Sequence, residues 1–301
     1  MPCRLPRIML ASASVFVATV AAAQERDKSF LYVNELGDVL QTSTDNPGRL
    51  HVTGTVGLET AGYFRGIFDD VPEDLDSLEY GPSLRLTFEL PSVGHFRDVS
   101  LTFGTGNNFW TKGVIPTDKS DIDDWFESDN FVGLAARLGP NWHGSLTYTA
   151  FTSPNGASAT AEELAFAARY VGDASDFLMF DPQMKLAVPV DGSDGAFLQL
   201  TAAPDLGSFS VGKQDVSVSL PLTVGIGIDD YYGDGTDTTG YFGASLSVSA
   251  PLNLPDGYGD WTLGASLDGI YRSDELVAFD PIGEDAGNFV TLATISLSFA
   301  F

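Results

Sequence analysis

The sequence predicts an all-β fold, a transmembrane antiparallel up-and-down β-barrel of about twelve strands. Runs of about ten residues alternate apolar side chains with small or polar ones, which is typical of strands that face lipid on one side. After the first 23 residues, no run of about 18 apolar residues occurs that could form a transmembrane helix. The chain is rich in aromatic residues and glycine, with 21 Phe, 10 Tyr and 32 Gly, and this apolar content excludes a disordered chain.

Residues 1–23 have the pattern of a signal peptide. They contain Arg4 and Arg7, then an apolar stretch over 8–20, and they end in alanines at a small-x-small cleavage pattern. The alternative, an uncleaved anchor, is disfavoured because the apolar stretch is short and is soon followed by charged residues. We therefore expect export and cleavage after Ala23.

The mature chain has no cysteine, since Cys3 lies in the signal peptide. This predicts no disulfide, no thiolate chemistry and no cysteine metal site. Removal of Arg4 and Arg7 leaves 13 basic residues against 41 acidic ones, a net charge of −28. Such a charge disfavours nucleic acid, and we expect none as a partner, because phosphate contacts need Lys and Arg. The sequence indicates no cofactor and no metal cluster, and we expect no enzyme.

Residues 24–49 are polar and turn-rich around one apolar patch, Phe30-Leu31-Tyr32-Val33. They do not fit the alternation of the barrel, which we expect over residues 50–301. We interpret 24–49 as a periplasmic N-terminal extension. Two arrangements stay open for it: a small plug that enters the barrel lumen, or a flexible leader.

The clearest strand covers residues 216–228, with Val, Leu and Ile on one face and mostly Ser, Thr and Gly on the other. A soluble β-sandwich is less compatible with this pattern, because the face opposite the apolar one is small and polar and the strands are long. An even strand count is typical of bacterial barrels. The other predicted strands cover 50–65, 83–90, 96–110, 130–138, 142–152, 161–171, 182–190, 195–203, 242–252, 261–272 and 289–301.

The connections between these strands alternate between long and short, as expected for outer loops and periplasmic turns. The middle of the chain departs from this rule. The connection 191–194 is short where an outer loop is expected, and 204–215 is long where a turn is expected. The strand count between residues 155 and 215 therefore stays open.

The last strand, 289–301, ends in an aromatic residue, Phe301. It resembles the terminal strand of Gram-negative outer-membrane barrels, in which the final aromatic belongs to the signal read by the barrel-assembly machinery. The resemblance implies location in the cell outer membrane. It also implies that machinery as a partner, with outer-membrane lipid and lipopolysaccharide as surroundings.

Several short segments resemble a group of uncharacterised Gram-negative barrel proteins of the Gcw_chp type. They include Tyr63-Phe64-Arg65-Gly66, Tyr231-Tyr232, Gly240-Tyr241-Phe242-Gly243 and Trp261-Thr262-Leu263. The resemblance is spread over residues 50–301 and implies an outer-membrane barrel of unassigned activity. It implies no catalytic or binding residue.

The alternation also predicts which charged side chains face the lumen. They could guide small polar or anionic solutes through a narrow passive channel. They could instead pair with one another, for example Glu59 and Glu89 with Arg65 and Arg85, and close the lumen of a structural barrel. The predicted lumen residues are His51, Glu59, Arg65, Arg85, Glu89, Arg137, His143, Arg169, Lys185, Asp268 and Arg272.

A third and weaker hypothesis is a lipid hydrolase. His143 and Ser145 share one strand face, so the histidine could activate the serine. Two features argue against this: the Asn-Gly context usual after such a serine is missing, and the predicted face is the luminal one.

Acidic residues concentrate in the loops expected outside the cell. They could share divalent cations with lipopolysaccharide phosphates, or simply form a solvated rim; no loop has the Asp-x-Asp-x-Asp-Gly spacing of a calcium loop. Aromatic residues near strand ends are expected at the membrane interface. They are Phe109, Trp110, Trp125, Tyr231, Tyr232, Tyr241 and Trp261.

Overall fold

Twelve antiparallel strands form a closed barrel in the computed structural model, which confirms the predicted fold class. The structure describes residues 29–43, 48–68, 78–111, 124–156, 158–172, 180–191, 194–233, 236–255, 257–280 and 287–301. The barrel strands are β3 (Leu50–Glu59), β6 (Glu79–Glu89), β7 (Arg97–Trp110), β8 (Trp125–Arg137), β9 (Trp142–Thr152), β10 (Ala161–Tyr170), β11 (Gln183–Pro189), β12 (Ala196–Ala202), β15 (Leu222–Ile228), β16 (Thr239–Leu252), β17 (Asp260–Arg272) and β18 (Phe289–Ala300). The remaining elements are β1 (Ser29–Val33), β2 (Val39–Ser43), β4 (Tyr63–Phe64), β5 (Ile67–Phe68), β13 (Asp205–Val211), β14 (Gln214–Ser219) and α1 (Asp274–Phe279).

The barrel closes between its first and last strands. β18 pairs with β3, for example Ile295 with Leu58, and the ladder continues to the C-terminus, where Phe301 and Val52 exchange two backbone hydrogen bonds. Closure leaves no free edge along this seam, so the backbone groups of both strands are paired within the wall, as a lipid environment requires.

The two faces of the wall differ as the alternation predicts. On β17, Leu267 points outward and is 54% exposed, whereas Arg272 points inward and is 0% exposed. The same contrast holds on β16, where Leu246 is exposed and Ser247 is buried. An apolar outside around a polar inside is the arrangement of a transmembrane barrel.

The irregular middle of the chain does not change the strand count. The short connection between β11 and β12 lies at the end of the barrel that carries the long loops. We take this end as the outer one. The long connection after β12 is itself a β-hairpin, β13–β14, at the opposite, periplasmic end. β14 continues into β15 after an interruption at Leu220–Pro221, and both strands pair with β16.

Several predicted boundaries were wrong. β6 begins at Glu79 and β8 at Trp125, earlier than the predicted starts at residues 83 and 130. The first barrel strand ends at Glu59 and does not continue to Arg65. Arg65 and Gly66, with φ of 48° and 96°, form the tight turn of a separate hairpin, β4–β5. Positive φ at both central positions is typical of such two-residue turns, and this reverses the chain where alternation alone predicts a strand.

The N-terminal hairpin β1–β2 lies inside the barrel. Within the described residues its strands pair only with each other, and they form a two-stranded sheet of their own. Its apolar patch is buried; Leu31, Val33 and Val39 pack with Phe131 and Ala135 of β8. Of the two arrangements open for this segment, a luminal plug and a flexible leader, residues 29–43 adopt the first. We call β1–β2 the plug.

No helix in the described ranges is long and apolar enough to cross a membrane. The predicted signal peptide, residues 1–23, lies outside the described residues. So do many acidic residues of the outer loops, which fall in 69–77, 112–123 and 281–286.

Candidate functional site

Two carboxylates of the plug pair with two cations of the barrel wall. Glu35 accepts a hydrogen bond from Arg85 of β6 at 2.9 Å. Asp38 lies 3.0 Å from Nζ of Lys185, on β11. Both wall side chains are almost completely buried, at 5% and 1% exposure. An unpaired charge is costly where it is buried. Each plug carboxylate therefore stabilises the arrangement in which the plug lies in the lumen beside its wall cation.

The turn of the plug is held by further polar contacts. Thr149 donates a hydrogen bond to the carbonyl oxygen of Glu35 at 2.6 Å, and Ser145 donates to that of Gly37 at 2.8 Å. Gln183 donates to Asp38 at 2.7 Å. The first two contacts satisfy backbone carbonyl groups of the turn, and the third adds a donor to the carboxylate of Asp38.

Two glycines make room for the plug. Gly37, in the plug turn, has φ of 79°, and a Cβ there would lie 2.6 Å from Cβ of Ala165. Gly133, on the inner face of β8, lies against Val33, and a Cβ at Gly133 would be 2.5 Å from its Cγ2. The plug therefore fits closely against the wall at β8, β9 and β10, and at its start the ring of Phe30 stacks on His51 of β3, with 3.9 Å between the ring centroids.

The opposite side of the lumen is more open. In the middle and periplasmic parts of β17 and β18 the inward residues are mostly small, and several stay half-buried, including Ser266, Asp268, Ser296 and Ser298. At the outer end, Ile270, Val290 and Leu292 are buried against the β4–β5 hairpin. Thr147, which lies under the plug, is fully buried. The plug thus fills one part of the cross-section, and half-buried small polar residues of β17 and β18 line another part.

The β4–β5 hairpin folds into the lumen from the outer end and is fixed by Arg65. The guanidinium makes two hydrogen bonds to the carboxylate of Glu163 on β10, one of them at 2.6 Å, and another to the hydroxyl of Tyr231. It also lies over the rings of Phe64 and Phe197, at 4.5 and 4.6 Å from their centroids. We call this hairpin and its partners the outer lock.

The arginine at the centre of the outer lock, Arg65, is buried but stays positively charged. Burial by itself lowers the pKa of Arg65, but the carboxylate of Glu163 and the hydroxyl of Tyr231 outweigh this effect and raise it. Burial also raises the pKa of Tyr231, so its hydroxyl stays protonated and donates to Glu163. The guanidinium of Arg65 therefore keeps its positive charge at the centre of the lock.

A second arginine ties the lock to the outer loop that contains α1. Arg272 forms an ion pair with Asp280, the residue that follows α1, and both side chains are fully buried. Asp280 also accepts a hydrogen bond from the N–H of Phe68 at 3.3 Å, and Arg272 donates to the carbonyl oxygen of Gly66 at 3.5 Å. The outer loop and the hairpin are thereby joined.

The predicted lumen residues are placed as follows. Most point inward on strands, but Arg65 lies in the β4–β5 turn, and Arg137 is 35% exposed at the periplasmic rim. The example pairs of Glu59 and Glu89 with Arg65 and Arg85 are wrong, since Arg65 and Arg85 pair with Glu163 and Glu35. The other ion pairs are His51 with Glu89 at 2.6 Å, Arg137 with Asp98 at 2.8 Å, Arg169 with Asp181 at 3.2 Å, Lys185 with Asp38, and Arg272 with Asp280. Asp268 accepts a hydrogen bond from Ser266 at 2.9 Å. Glu59 is buried.

His143 and Ser145 both face the lumen, as the register predicted. His143 is buried, and the Ser145 hydroxyl is engaged with the plug backbone. The pair therefore has no exposure to lipid. Among the described residues, no three His, Asp or Glu side chains come together as a metal site.

The expectation that the aromatic residues lie at the membrane interface is wrong for Tyr231, Tyr232 and Trp110. Tyr231 and Tyr232 are buried in the lumen around Phe197, where the partly buried Tyr241 packs against them, and Trp110 is also buried. Sequence reasoning therefore missed the internal aromatic packing of the outer lock. It also missed the acidic partners Glu35, Asp38, Glu163 and Asp280, although the turn Asn34-Glu35-Leu36-Gly37-Asp38 was a visible signal.

No family model matches the sequence, and no curated protein matches it either. Among solved structures, the chain is similar to OprB of Pseudomonas putida, with 8% identity, 84% of this chain and 93% of that chain covered, and a TM-score of 0.33. It is similar to CdiB from Acinetobacter baumannii, with 9% identity and a TM-score of 0.32. That match covers 91% of this chain and 65% of the CdiB chain. It is also similar to a mutant of the Rh. blastica porin, with 12% identity and a TM-score of 0.25. That match covers 84% of this chain and 99% of the porin chain. These identities and scores are low and do not bear on the activity of the chain.

Proposed function

We propose that this barrel is a plugged channel of the outer membrane, which conducts small polar or anionic solutes when the plug leaves the lumen. The observation that carries the proposal is the pairing of Glu35 with Arg85 and of Asp38 with Lys185. The plug neutralises these wall cations while it is seated. Its departure exposes them to the lumen, where a row of positive charge favours anions.

The way in which the plug is attached supports its mobility. Its strands pair with each other and, within the described residues, form no ladder with the wall. The plug can therefore move as a unit without breaking the barrel sheet. Its polar links to the wall are side-chain contacts, and water can replace each of them once the lumen opens.

The open side of the lumen also supports a channel. A permanently closed small barrel fills its interior with side chains. Here several inward residues on β17 and β18, such as Ser266 and Ser296, are small and half-buried. Removal of the plug would leave a polar passage along them as far as the outer lock, where Ile270, Val290 and Leu292 are buried.

A closed-lumen structural barrel is the second candidate. The outer lock favours it, because Arg65 and Arg272 close the outer end with two buried ion pairs. In this alternative the plug and the lock are permanent parts of the core, and no solute passes.

The cellular setting completes the proposal. We propose cleavage after Ala23, recognition of Phe301 by the barrel-assembly machinery, and insertion among outer-membrane lipid and lipopolysaccharide. The band of exposed apolar residues, for example Leu246 and Leu267, supports contact with lipid.

Single-channel recording in planar bilayers tests the channel. The double variant Glu35→Gln/Asp38→Asn leaves two buried cations without their counter-charges, which costs about 3–5 kcal/mol for each broken pair. We expect open events to become at least about tenfold more frequent than in the wild type, since about 1.4 kcal/mol already corresponds to tenfold. The current should be anion-selective.

Two further variants make the test specific. Addition of Arg85→Ser and Lys185→Ser to the double variant should shift the selectivity toward cations. The control Asp268→Asn removes a luminal carboxylate that is bonded to Ser266 and does not touch the plug, so its open frequency should equal that of the wild type. Absence of single-channel steps in every folded variant would reject the channel in favour of the structural barrel.

A further inference from the structure

The plug and the outer lock meet inside the barrel. Leu36, at the turn of the plug, belongs to one buried cluster with Phe64 of the lock hairpin and Phe151 of β9. Leu36 lies between Glu35 and Asp38, the residues that pair with the wall. The apolar contact of the plug therefore sits in the same turn as its two ion pairs.

The lock in turn is in contact with the outer loop. A Cβ at Gly66 would lie 2.5 Å from Cδ2 of Leu276 in α1, so the helix packs directly on the hairpin turn. Leu276 is completely buried there. Together with the Arg272–Asp280 pair, this contact makes the position of α1 and the position of β4–β5 mutually dependent.

Strand β10 provides a common support for both elements. Glu163 fixes Arg65 of the lock, and Ala165, two residues further on the same face, seats Gly37 of the plug. A chain of direct contacts thus runs from α1, through Gly66 and Phe64, to Leu36 and the plug ion pairs.

We infer that the plug and the outer lock open as one coupled unit, so that the conformation of the outer loop around α1 controls the seating of the periplasmic plug. The inference rests on the mobile plug of the proposed function and adds its regulation from the outside. When the lock hairpin withdraws, Leu36 loses an apolar partner and the plug turn becomes exposed, which weakens the seated state.

Cysteine labelling measures this coupling directly. Val33 is 0% exposed in the seated plug, and the described part of the chain contains no cysteine, so a V33C substitution reports plug release. The variant Glu163→Gln removes the counter-charge of Arg65; the described hydrogen bonds of Glu163 are with Arg65 and Tyr231 and none is with the plug. We expect the labelling of V33C by a polar maleimide to become at least about tenfold faster in this background.

The control variant is Asp98→Asn, which breaks the exposed rim pair with Arg137 and should leave the labelling rate unchanged. Heat-modifiable migration on a gel identifies the folded barrels. If folded Glu163→Gln protein labels at the wild-type rate, the plug and the lock are independent and the inference fails.

The reverse direction gives a second measurement, because coupling between two sites is reciprocal. Glu35→Gln loosens the plug and leaves the lock residues intact. It should raise hydrogen exchange at the N–H of Phe68, which is bonded to Asp280 in the closed lock, by a factor similar to its effect on V33C labelling. Unchanged exchange at Phe68 would overturn the coupling.

These results separate the inference from the channel itself. Coupled labelling without conductance in any variant would reject the channel and keep the coupling. Conductance in Glu35→Gln/Asp38→Asn, together with unchanged V33C labelling in Glu163→Gln, would reject the coupling and keep the channel.

Discussion

A single methyl group on the barrel wall should displace the plug without altering any charge. Gly133 faces the plug, and a Cβ there would lie 2.5 Å from Cγ2 of Val33 and 2.7 Å from Oγ1 of Thr147. Ordinary van der Waals contacts of a Cβ lie at 3.4–4 Å, so the overlap with Val33 is close to one ångström. The Gly133→Ala variant therefore cannot accommodate the seated plug in its present position.

The size of the effect follows from the rigidity of the two neighbours. Thr147 can rotate its hydroxyl away, but Val33 is β-branched and stiff at χ1, and its backbone is fixed in the plug hairpin. An extra methyl in a well-packed interior costs about 1–3 kcal/mol. This corresponds to a shift of about 5–150-fold in the ratio of displaced to seated plug.

The assay is thiol labelling of an L31C substitution, since Leu31 is 2% exposed in the seated plug. The matched control is Gly243→Ala on the inner face of β16, where the nearest atoms would lie 3.9 Å away. Addition of Val33→Ala to Gly133→Ala should restore slow labelling by removing the overlapping methyl. If Gly133→Ala labels no faster than Gly243→Ala, the reasoning about the close fit is refuted.

Three further predictions test the lock, the lipid face and the C-terminus. Arg272→Met leaves Asp280 buried without its cation, at a cost of about 3–5 kcal/mol in stability. The variant should make residues 273–280 sensitive to limited proteolysis. An unchanged cleavage rate would contradict the buried pair. Leu246→Arg on the lipid face should lower the free energy of unfolding in bilayers by about 2–4 kcal/mol, whereas Ser266→Arg in the lumen should cost less; equal losses would contradict the assignment of faces. Phe301→Ala keeps the backbone pairing with β3. It should reduce the yield of heat-modifiable barrel during assembly in cells, while refolding from urea should stay normal. A normal yield in cells would reject the terminal aromatic as an assembly signal.

The alternation of side chains was sufficient to predict the barrel wall. A strand places successive side chains on opposite faces whatever it pairs with, so Leu246 and Ser247 could be assigned to lipid and lumen from their neighbours alone. The same local rule failed at Arg65. Phe64 and Arg65 fit the period of the strand, but Thr60-Ala61-Gly62 interrupts the alternation, the strand ends at Glu59, and a turn with positive φ reverses the chain.

The partners of the luminal charges could not be predicted in this way. Arg85 and Glu35 are 50 residues apart in the sequence, and Arg65 and Glu163 are 98 apart. The alternation states that a wall arginine points inward, but it does not state what fills the space in front of it. That depends on which segments enter the closed barrel and how deep they reach.

The sequence by itself thus determined the transmembrane wall and the solvent on each side, because these depend on a period of two that is repeated within each strand. Only the tertiary structure decided that the lumen is occupied from both ends, by the plug and by the outer lock. The physical reason is that their seating depends on contacts between remote segments, such as Leu36 with Phe64 and Phe151, which become neighbours only once the barrel has closed.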